Sequence, residues 1–190
     1  METPVKVAVL VGSLRKDSFT RKVAMALIAI GQEPLTFEIV EIGSLPLYNQ
    51  DDEANPPPSV VEFRQRVAAC NALLFVTPEY NRSVPGLLKN AIDVGSRPYG
   101  KSVWDQKPGA VISVSPGAIG AFGANHHLRQ SLVFLDMPIL QQPEAYIGGV
   151  DKLFDAVGEF TNPATKQFCA QLLRAFDAWI ARTLHRPEGR

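Results

Sequence analysis

Hydroxyl and guanidinium groups are concentrated in one short stretch, GSLRKDSFT, which directly follows an apolar run. Ser13, Ser18 and Thr20 offer hydroxyl groups, and Arg15 offers a forked cation. If a helix begins here, its free N–H groups join these donors, and the set can bind a phosphate monoester through charge-assisted hydrogen bonds. A simpler interpretation is a capping turn, in which Asp17 or Ser18 accepts the first N–H groups of the helix. A cap needs only one such acceptor, so three hydroxyls and an arginine exceed that need.

A second polar stretch, TPEYNRSVPGLLKNAID (77–93), also follows an apolar run. Tyr80 can lie against a flat aromatic ligand, and the backbone N–H groups of 79–82 can bond the carbonyls and ring nitrogens of a heterocycle. The alternative is a Pro-Gly turn that begins a helix, with Lys89 and Asp93 as a surface pair four residues apart. That alternative gives no reason for a Tyr-Asn pair at the strand end.

A third stretch, SVSPGAIGAFG (113–123), follows another apolar run. Ser115 and Gly117 end the predicted strand, and Gly120 and Gly123 allow the backbone to approach another group closely. The alternative is a flexible loop before a helix. Glycines alone do not decide between the two interpretations.

No set of side chains predicts a catalytic nucleophile, an acid–base pair or a metal site. His126 and His127 are adjacent, and adjacent helical residues point about 100° apart, so they cannot bind one metal from one helix face. Cys70 and Cys169 form no CxxC motif and fall in helical patterns, which is typical of small buried side chains. The acidic segment 48–56 is more typical of a solvated loop than of a divalent-ion site.

The rest of the chain supplies the elements that position these stretches. Three of the apolar runs show no alternation, which is typical of strands buried on both faces, whereas the run at 35–42 alternates as an edge strand does. The predicted strands are 5–11, 35–42, 72–77, 109–115 and a weaker 138–147. The predicted helices lie near 18–31, 58–70, 86–96, 120–136 and 163–184.

Strands that alternate with helices predict an α/β fold with parallel strands joined by right-handed crossovers. Five such units predict a flavodoxin-like three-layer sandwich whose five-stranded sheet has the order 2-1-3-4-5. Ligands of such sheets bind at the carboxyl ends of the strands, beside the switch between strands one and three. The three polar stretches are therefore expected to meet there.

Composition narrows the class of protein. The chain has 190 residues, and its 19 basic residues balance 19 acidic ones, which disfavours a nucleic-acid partner and a strongly acidic electron carrier. The length predicts a single domain, 1–190. No signal peptide and no apolar stretch of about 18 residues is found, so a cytoplasmic protein without a membrane anchor is expected. A nucleotide-hydrolysing P-loop is excluded because GxxxxGK[ST] is absent.

Taken in this order, the motifs resemble those of the NADPH-dependent FMN reductase family, and most closely its bacterial quinone and chromate reductases. The matching stretches are GSLRKDSFTRKVA, LPLYNQD, TPEYNRSVPGLLKNAID and HHLRQSLVFLDMPILQQPE. The likeness extends to about Gly149, and a C-terminal helix also matches. Gly123 and His126 stand where some relatives carry larger polar residues.

The resemblance implies a flavodoxin-like fold and a non-covalently bound FMN. By position, it implies a phosphate shell, an isoalloxazine-side loop and a third contact. The phosphate-side residues are Ser13, Leu14, Arg15, Ser18, Phe19 and Thr20. The isoalloxazine-side residues are Pro78, Glu79, Tyr80, Asn81 and Arg82, and the third contact is Ser115 with Gly117. No catalytic residue and no metal ligand is implied.

The implied activity is an FMN-dependent NAD(P)H oxidoreductase that reduces quinones, and also chromate or free flavin, by ping-pong hydride transfer. The alternative function is a non-enzymatic flavodoxin-type electron carrier. The resemblance also implies a homodimer or homotetramer, with 86–96 and 120–146 as contact surfaces.

Overall fold

The central feature is one sheet of five parallel strands. The computed structural model describes residues 4–155 and 158–184. The strands are β1 (Val5–Val11), β2 (Leu35–Ile39), β3 (Ala72–Thr77), β4 (Gly109–Val114) and β5 (Ala145–Ile147). Their spatial order is β2-β1-β3-β4-β5. The predicted strand order is therefore confirmed, and the alternating run at 35–42 does form an edge strand.

Five α-helices alternate with the strands. They are α1 (Phe19–Ile30), α2 (Pro58–Ala68), α3 (Gly86–Gly95), α4 (Phe122–Phe134) and α5 (Pro163–Leu184). Short 3₁₀ turns occupy Gln50–Ala54 and Val150–Lys152. Each predicted helix is present, with its ends within two residues of the prediction.

The helices cover both faces of the sheet. Side chains of β1 alternate between two cores, with Val7 and Val9 in one and Ala8 and Leu10 in the other. The first core packs α1 and α5 against the sheet, and the second packs α2, α3 and α4 against the opposite face. The predicted three-layer flavodoxin-like sandwich is confirmed.

Three strands are shorter than the sequence predicts, β4 by only one residue. The ladder of β2 ends at Ile39, and the next residue makes one further bond, from its N–H to the Val9 carbonyl at 3.1 Å. The predicted fifth strand, 138–147, pairs regularly only over its last three residues, with an isolated bridge between Ile139 and Gly109. Prolines at 138 and 143 lack the N–H that a ladder needs, which explains the interruption.

No helix in residues 4–155 and 158–184 is long and apolar enough to cross a membrane.

Candidate functional site

The three polar stretches follow strands that lie side by side. Val11 of β1 is in register with Val76 of β3, and Thr77 of β3 is in register with Ser113 of β4. All three strands are parallel, so their following loops leave the same edge of the sheet. A Cβ on Gly12 would lie 3.0 Å from the Pro78 ring, so the first two loops are already in contact. The structure therefore brings these loops together, as the sequence predicts.

The loop after β1 begins α1 with a serine cap. The Ser18 hydroxyl accepts the Arg21 N–H at 3.3 Å, and it lies 2.6 Å from the Thr20 hydroxyl. Both hydroxyl-bearing residues are buried, whereas Asp17 is exposed. Of the two caps that the sequence left open, the structure selects Ser18.

The remaining side chains of this loop differ in exposure. Ser13 is buried, and its hydroxyl accepts the Arg15 N–H at 3.4 Å. Arg15 and Leu14 are exposed, and Phe19 is half-buried with the Lys22 ammonium 5.7 Å from its ring centre. The first turn of α1 contains no acidic residue, so no carboxylate there neutralises the positive helix end. The loop therefore places buried hydroxyls beside the positive N-terminal end of α1, with the exposed Arg15 in the same loop.

The loop after β3 contains a tight two-residue turn. The N–H of Tyr80 donates to the Ser83 carbonyl at 3.1 Å, and the N–H of Ser83 donates back to the Tyr80 carbonyl at 3.0 Å. Asn81 and Arg82 both have positive φ, 52° and 62°, as a type I′ turn requires. Tyr80 is half exposed beside this turn. Its N–H is engaged, which narrows the expected set of free backbone donors to Glu79, Asn81 and Arg82.

Glu79 contributes a side-chain contact that the sequence did not indicate. One carboxylate oxygen accepts the Ala124 N–H at 3.0 Å, and the other accepts from the Arg82 guanidinium at 3.2 Å. The loop after β3 is thereby tied to α4. Gly123 was the available signal, because a Cβ there would lie 2.9 Å from the same carboxylate.

The loop after β4 lies beyond β3, about 10 Å from the loop after β1 at the usual strand spacing. Ser115 is half-buried, and its N–H donates to the Ile147 carbonyl at 2.9 Å. Its hydroxyl accepts the N–H of the exposed Gly117 at 3.0 Å. The three loops therefore line an elongated edge, with buried hydroxyls at one end and an exposed tyrosine near its middle.

The two adjacent histidines serve different neighbours. His126 Nε2 lies 2.9 Å from the Tyr146 hydroxyl, and His127 Nδ1 lies 3.0 Å from the Ser83 hydroxyl. Burial is the largest cause that raises the pKa of Tyr146 to about 12. In residues 4–155 and 158–184, no three His, Cys, Asp or Glu side chains are grouped so that they could hold a metal ion.

A separate cavity of about 240 Å³ lies between the segment 46–57 and the helices α2 and α3. Its Arg64 guanidinium donates to the carbonyls of Val94 and Gly95 at 3.2 and 3.0 Å. That cation therefore already caps the end of α3, and the cavity lies apart from the three loops.

Comparison with known proteins shows which family the chain belongs to. A family model described as NADPH-dependent FMN reductase matches residues 5–152. A quinone reductase from Pseudomonas putida is 59% identical over 181 residues, 95% of this chain and 97% of that protein. A 2-hydroxy-1,4-benzoquinone reductase from a Burkholderia species is 45% identical over 176 residues, 93% of this chain and 96% of that protein.

A solved structure adds a match in three dimensions. It is the flavoenzyme FerB, an NAD(P)H:(acceptor) oxidoreductase from Paracoccus denitrificans, with a TM-score of 0.90 and 42% identity. The match covers 94% of this chain and 98% of that chain. The family match and relatives this similar over almost their whole length show that the chain belongs to the NADPH-dependent FMN reductase family.

Proposed function

We propose that the protein is an FMN-dependent NAD(P)H oxidoreductase that reduces quinones. The observation that carries the proposal is the meeting of three loops at one sheet edge, with Ser13, Ser18 and Thr20 buried at its end. Family membership and the quinone reductases among the relatives support the same activity.

The loop after β1 fits the phosphate of FMN. Its donors are the hydroxyls of Ser13, Ser18 and Thr20 and the N–H groups that begin α1, and Arg15 adds the exposed cation. Such a set suits a phosphate dianion, since each donor can form a charge-assisted bond. Leu14 and Phe19 form the apolar flank of the same loop.

The turn after β3 fits the flavin ring. Tyr80 offers an exposed aromatic face, and Pro78 a rigid apolar wall. In the described part of the chain, the N–H groups of Asn81 and Arg82 make no backbone hydrogen bond outside helices and strands, so they remain to orient a heterocycle. Ser115 and Gly117 border the site from the loop after β4.

When bound, FMN supplies the redox chemistry: it accepts a hydride from NAD(P)H and passes the electrons to the acceptor. The residues of the chain bind the FMN and orient it, and none of them is assigned as a nucleophile, acid or base. One open side of the turn serves both NAD(P)H and the quinone in succession, which leads to ping-pong kinetics. Chromate and free flavin are further acceptors that such an open site admits.

The chain is further proposed to act as one cytoplasmic domain, 1–190, in a homodimer or homotetramer. α5 lies beyond the family match, yet Cys169 and Phe176 are buried in the same core as β1. Large apolar side chains are exposed on the expected contact segment 120–146, among them Phe134 at 89% and Val133 at 68%. Light scattering of the purified protein would measure the oligomeric state, and a monomer would contradict this part.

The decisive experiment combines a spectrum with turnover. The purified protein, reconstituted with FMN, is expected to show the visible absorption of bound flavin and to oxidise NADPH steadily when benzoquinone is added. The protein without FMN is the control. A protein that cannot be reconstituted would overturn the cofactor, and a flavin-loaded protein without turnover would favour an electron carrier.

A further inference from the structure

The turn at Tyr80–Ser83 has a backbone conformation that one of its residues, Arg82, does not favour. Asn81 and Arg82 are consecutive and both have positive φ. Asparagine tolerates this region because its short polar side chain can hydrogen-bond locally, whereas the long arginine side chain gains no such bond to offset the strain at its Cβ. The two hydrogen bonds between Tyr80 and Ser83 close the turn. A conformation of this kind persists when surrounding contacts hold it in place.

Two of those contacts come from one face of α4. The Glu79 carboxylate accepts the Ala124 N–H, and the Ser83 hydroxyl lies 3.0 Å from His127 Nδ1. Residues 124 and 127 are three apart, so they lie on the same side of the helix. The turn is therefore attached to α4 at both of its ends.

The start of α4 needs the acceptor that Glu79 supplies. The residue before the helix, Ala121, has no side chain that can accept a hydrogen bond from the first turn. Free N–H groups and the positive helix end favour a carboxylate there. The Glu79 side chain is only 12% exposed, and its second oxygen faces Arg82.

Gly123 leaves the room that this contact occupies. A Cβ at that position would lie 2.9 Å from the Glu79 carboxylate and 2.9 Å from the Arg82 carbonyl oxygen. The carbonyl is backbone and cannot rotate away, so any side chain at 123 would push the turn off the helix. Contact with the turn therefore explains, on steric grounds, why residue 123 is a glycine.

We propose that Glu79 is a positioning residue: its carboxylate, admitted by Gly123, holds the turn Tyr80–Ser83 against α4 in the conformation that receives the flavin. The inference rests on the proposed function for the identity of the ligand. Without the carboxylate, the free protein would sample other turn conformations. The apparent affinity for FMN would then fall in proportion to the population of the turn conformation that binds FMN.

The test compares Glu79→Ala, Glu79→Gln and Gly123→Ala with Glu38→Ala. Glu38 is a suitable control because its carboxylate is also ion-paired, with Arg66 at 2.7 Å, but on the far strand β2. FMN is titrated into each apoprotein and its fluorescence quenching gives Kd. Hydrogen exchange of the Ala124 amide is followed in the same apoproteins, and circular dichroism reports folding.

Glu79→Ala is expected to raise the Kd for FMN about tenfold or more and to speed exchange at Ala124, since a bond to a charged acceptor is lost. Glu79→Gln should restore most of the FMN affinity and most of the protection of the Ala124 amide from exchange, because its amide oxygen still accepts the Ala124 N–H. Gly123→Ala should also raise the Kd for FMN. Glu38→Ala should change neither the Kd nor the exchange rate at Ala124. The visible spectrum of bound flavin should differ from wild type in Glu79→Ala and return in Glu79→Gln.

Wild-type affinity in a folded Glu79→Ala or Gly123→Ala protein would overturn the inference, as would a glutamine variant no better than alanine. If Glu79→Ala does not fold, the glutamine and Gly123→Ala variants still decide it. A wild-type protein that binds no FMN would contradict the proposed function instead. Hydrogen exchange at Ala124 would then still test whether Glu79 holds the turn against α4.

Discussion

At the scale of single residues, the loop after β1 combines capping with a set of donors. Ser18 accepts the Arg21 N–H and also lies beside the Thr20 hydroxyl, so the serine that caps the helix is also a member of the proposed phosphate-binding set. Hydroxyls can rotate their hydrogens toward a ligand without moving the backbone. A monophosphate can therefore be held here without the glycines and lysine of a P-loop.

Arg15 is expected to contribute affinity and little stability. It is exposed, so its replacement by alanine should leave the fold intact while removing a charged donor to the phosphate. The Kd for FMN should rise about 10- to 100-fold, the range of one bond to a charged group. Fluorescence titration of Arg15→Ala measures it, with Lys16→Ala as the neighbouring exposed cation. Equal FMN affinity in wild type and Arg15→Ala would remove Arg15 from the phosphate shell.

At the scale of elements, a buried polar network joins α4 to β4 and β5. The Asn125 amide donates to the Ser113 hydroxyl at 3.2 Å and to the Ala145 carbonyl at 3.3 Å. Its oxygen accepts from Arg129 Nε at 2.8 Å, and Ser113 also donates to the Gly120 carbonyl at 2.7 Å. The loop after β4 is thereby fixed between two strands and a helix.

Asn125→Leu should therefore lower the free energy of unfolding by about 2–4 kcal/mol, because buried polar groups on both sides of it lose partners. Urea denaturation of the apoprotein measures the change. Gln130→Leu, an exposed position on the same helix, is the matched control and should be nearly neutral. If Asn125→Leu lowers the free energy of unfolding no more than Gln130→Leu does, the hydrogen bonds of Asn125 make no net contribution to stability.

The end of α3 packs against an indole that lies outside any regular element. Trp104 is fully buried, and its ring nitrogen donates to the Ile92 carbonyl at 2.8 Å. A Cβ on Gly95 would lie 2.3 Å from the Trp104 ring. The close approach of helix and ring is possible only because residue 95 has no side chain.

Gly95→Ala is expected to destabilise the protein by about 1–3 kcal/mol, the usual cost of overpacking a core. The comparison is Gly86→Ala at the other end of the same helix, where a Cβ would meet nothing within 4 Å. That change should be neutral or stabilising by roughly 0.4–1 kcal/mol. Thermal unfolding of both variants distinguishes them, and equal melting temperatures would contradict the steric argument.

At the scale of the whole molecule, α5 completes the core that faces α1. Cys169 lies in this helix and is fully buried, and burial raises the pKa of its thiol to about 11 from an ordinary value of 9.0. The unfolded chain loses this proton near pH 9, whereas the folded protein keeps it. Stability from this group is thus complete below pH 9 and is lost as pH rises toward 11.

The free energy of unfolding should fall by about 2–3 kcal/mol over that interval through Cys169 alone, because the two states then differ by one bound proton, which is worth about 1.4 kcal/mol per pH unit. Cys169→Ala should show a shallower alkaline slope. Denaturation curves at pH 8, 9, 10 and 11 on both proteins measure the difference. Parallel slopes would show that the thiol ionises equally in the folded and unfolded chains.

Sequence periodicity predicted most elements because their burial repeats locally. The apolar runs of β1, β3 and β4 and the helical spacing of α5 lie within single segments, and each was found where expected. The exceptions have non-local causes. β5 keeps only three residues because prolines interrupt the segment before it, and Trp104 fills the core from a stretch without periodicity.

The sequence by itself determined the helices, most of the strands and the three polar loops, because these follow from burial patterns and motifs within short segments. The order of the sheet followed from the alternation of strands and helices along the chain. Only the tertiary structure decided that Ser18 rather than Asp17 caps α1. It alone joined Glu79 to Ala124, which lies 45 positions away. Contacts of this kind depend on how distant segments are brought together, and a local pattern carries no record of a partner that far along the chain.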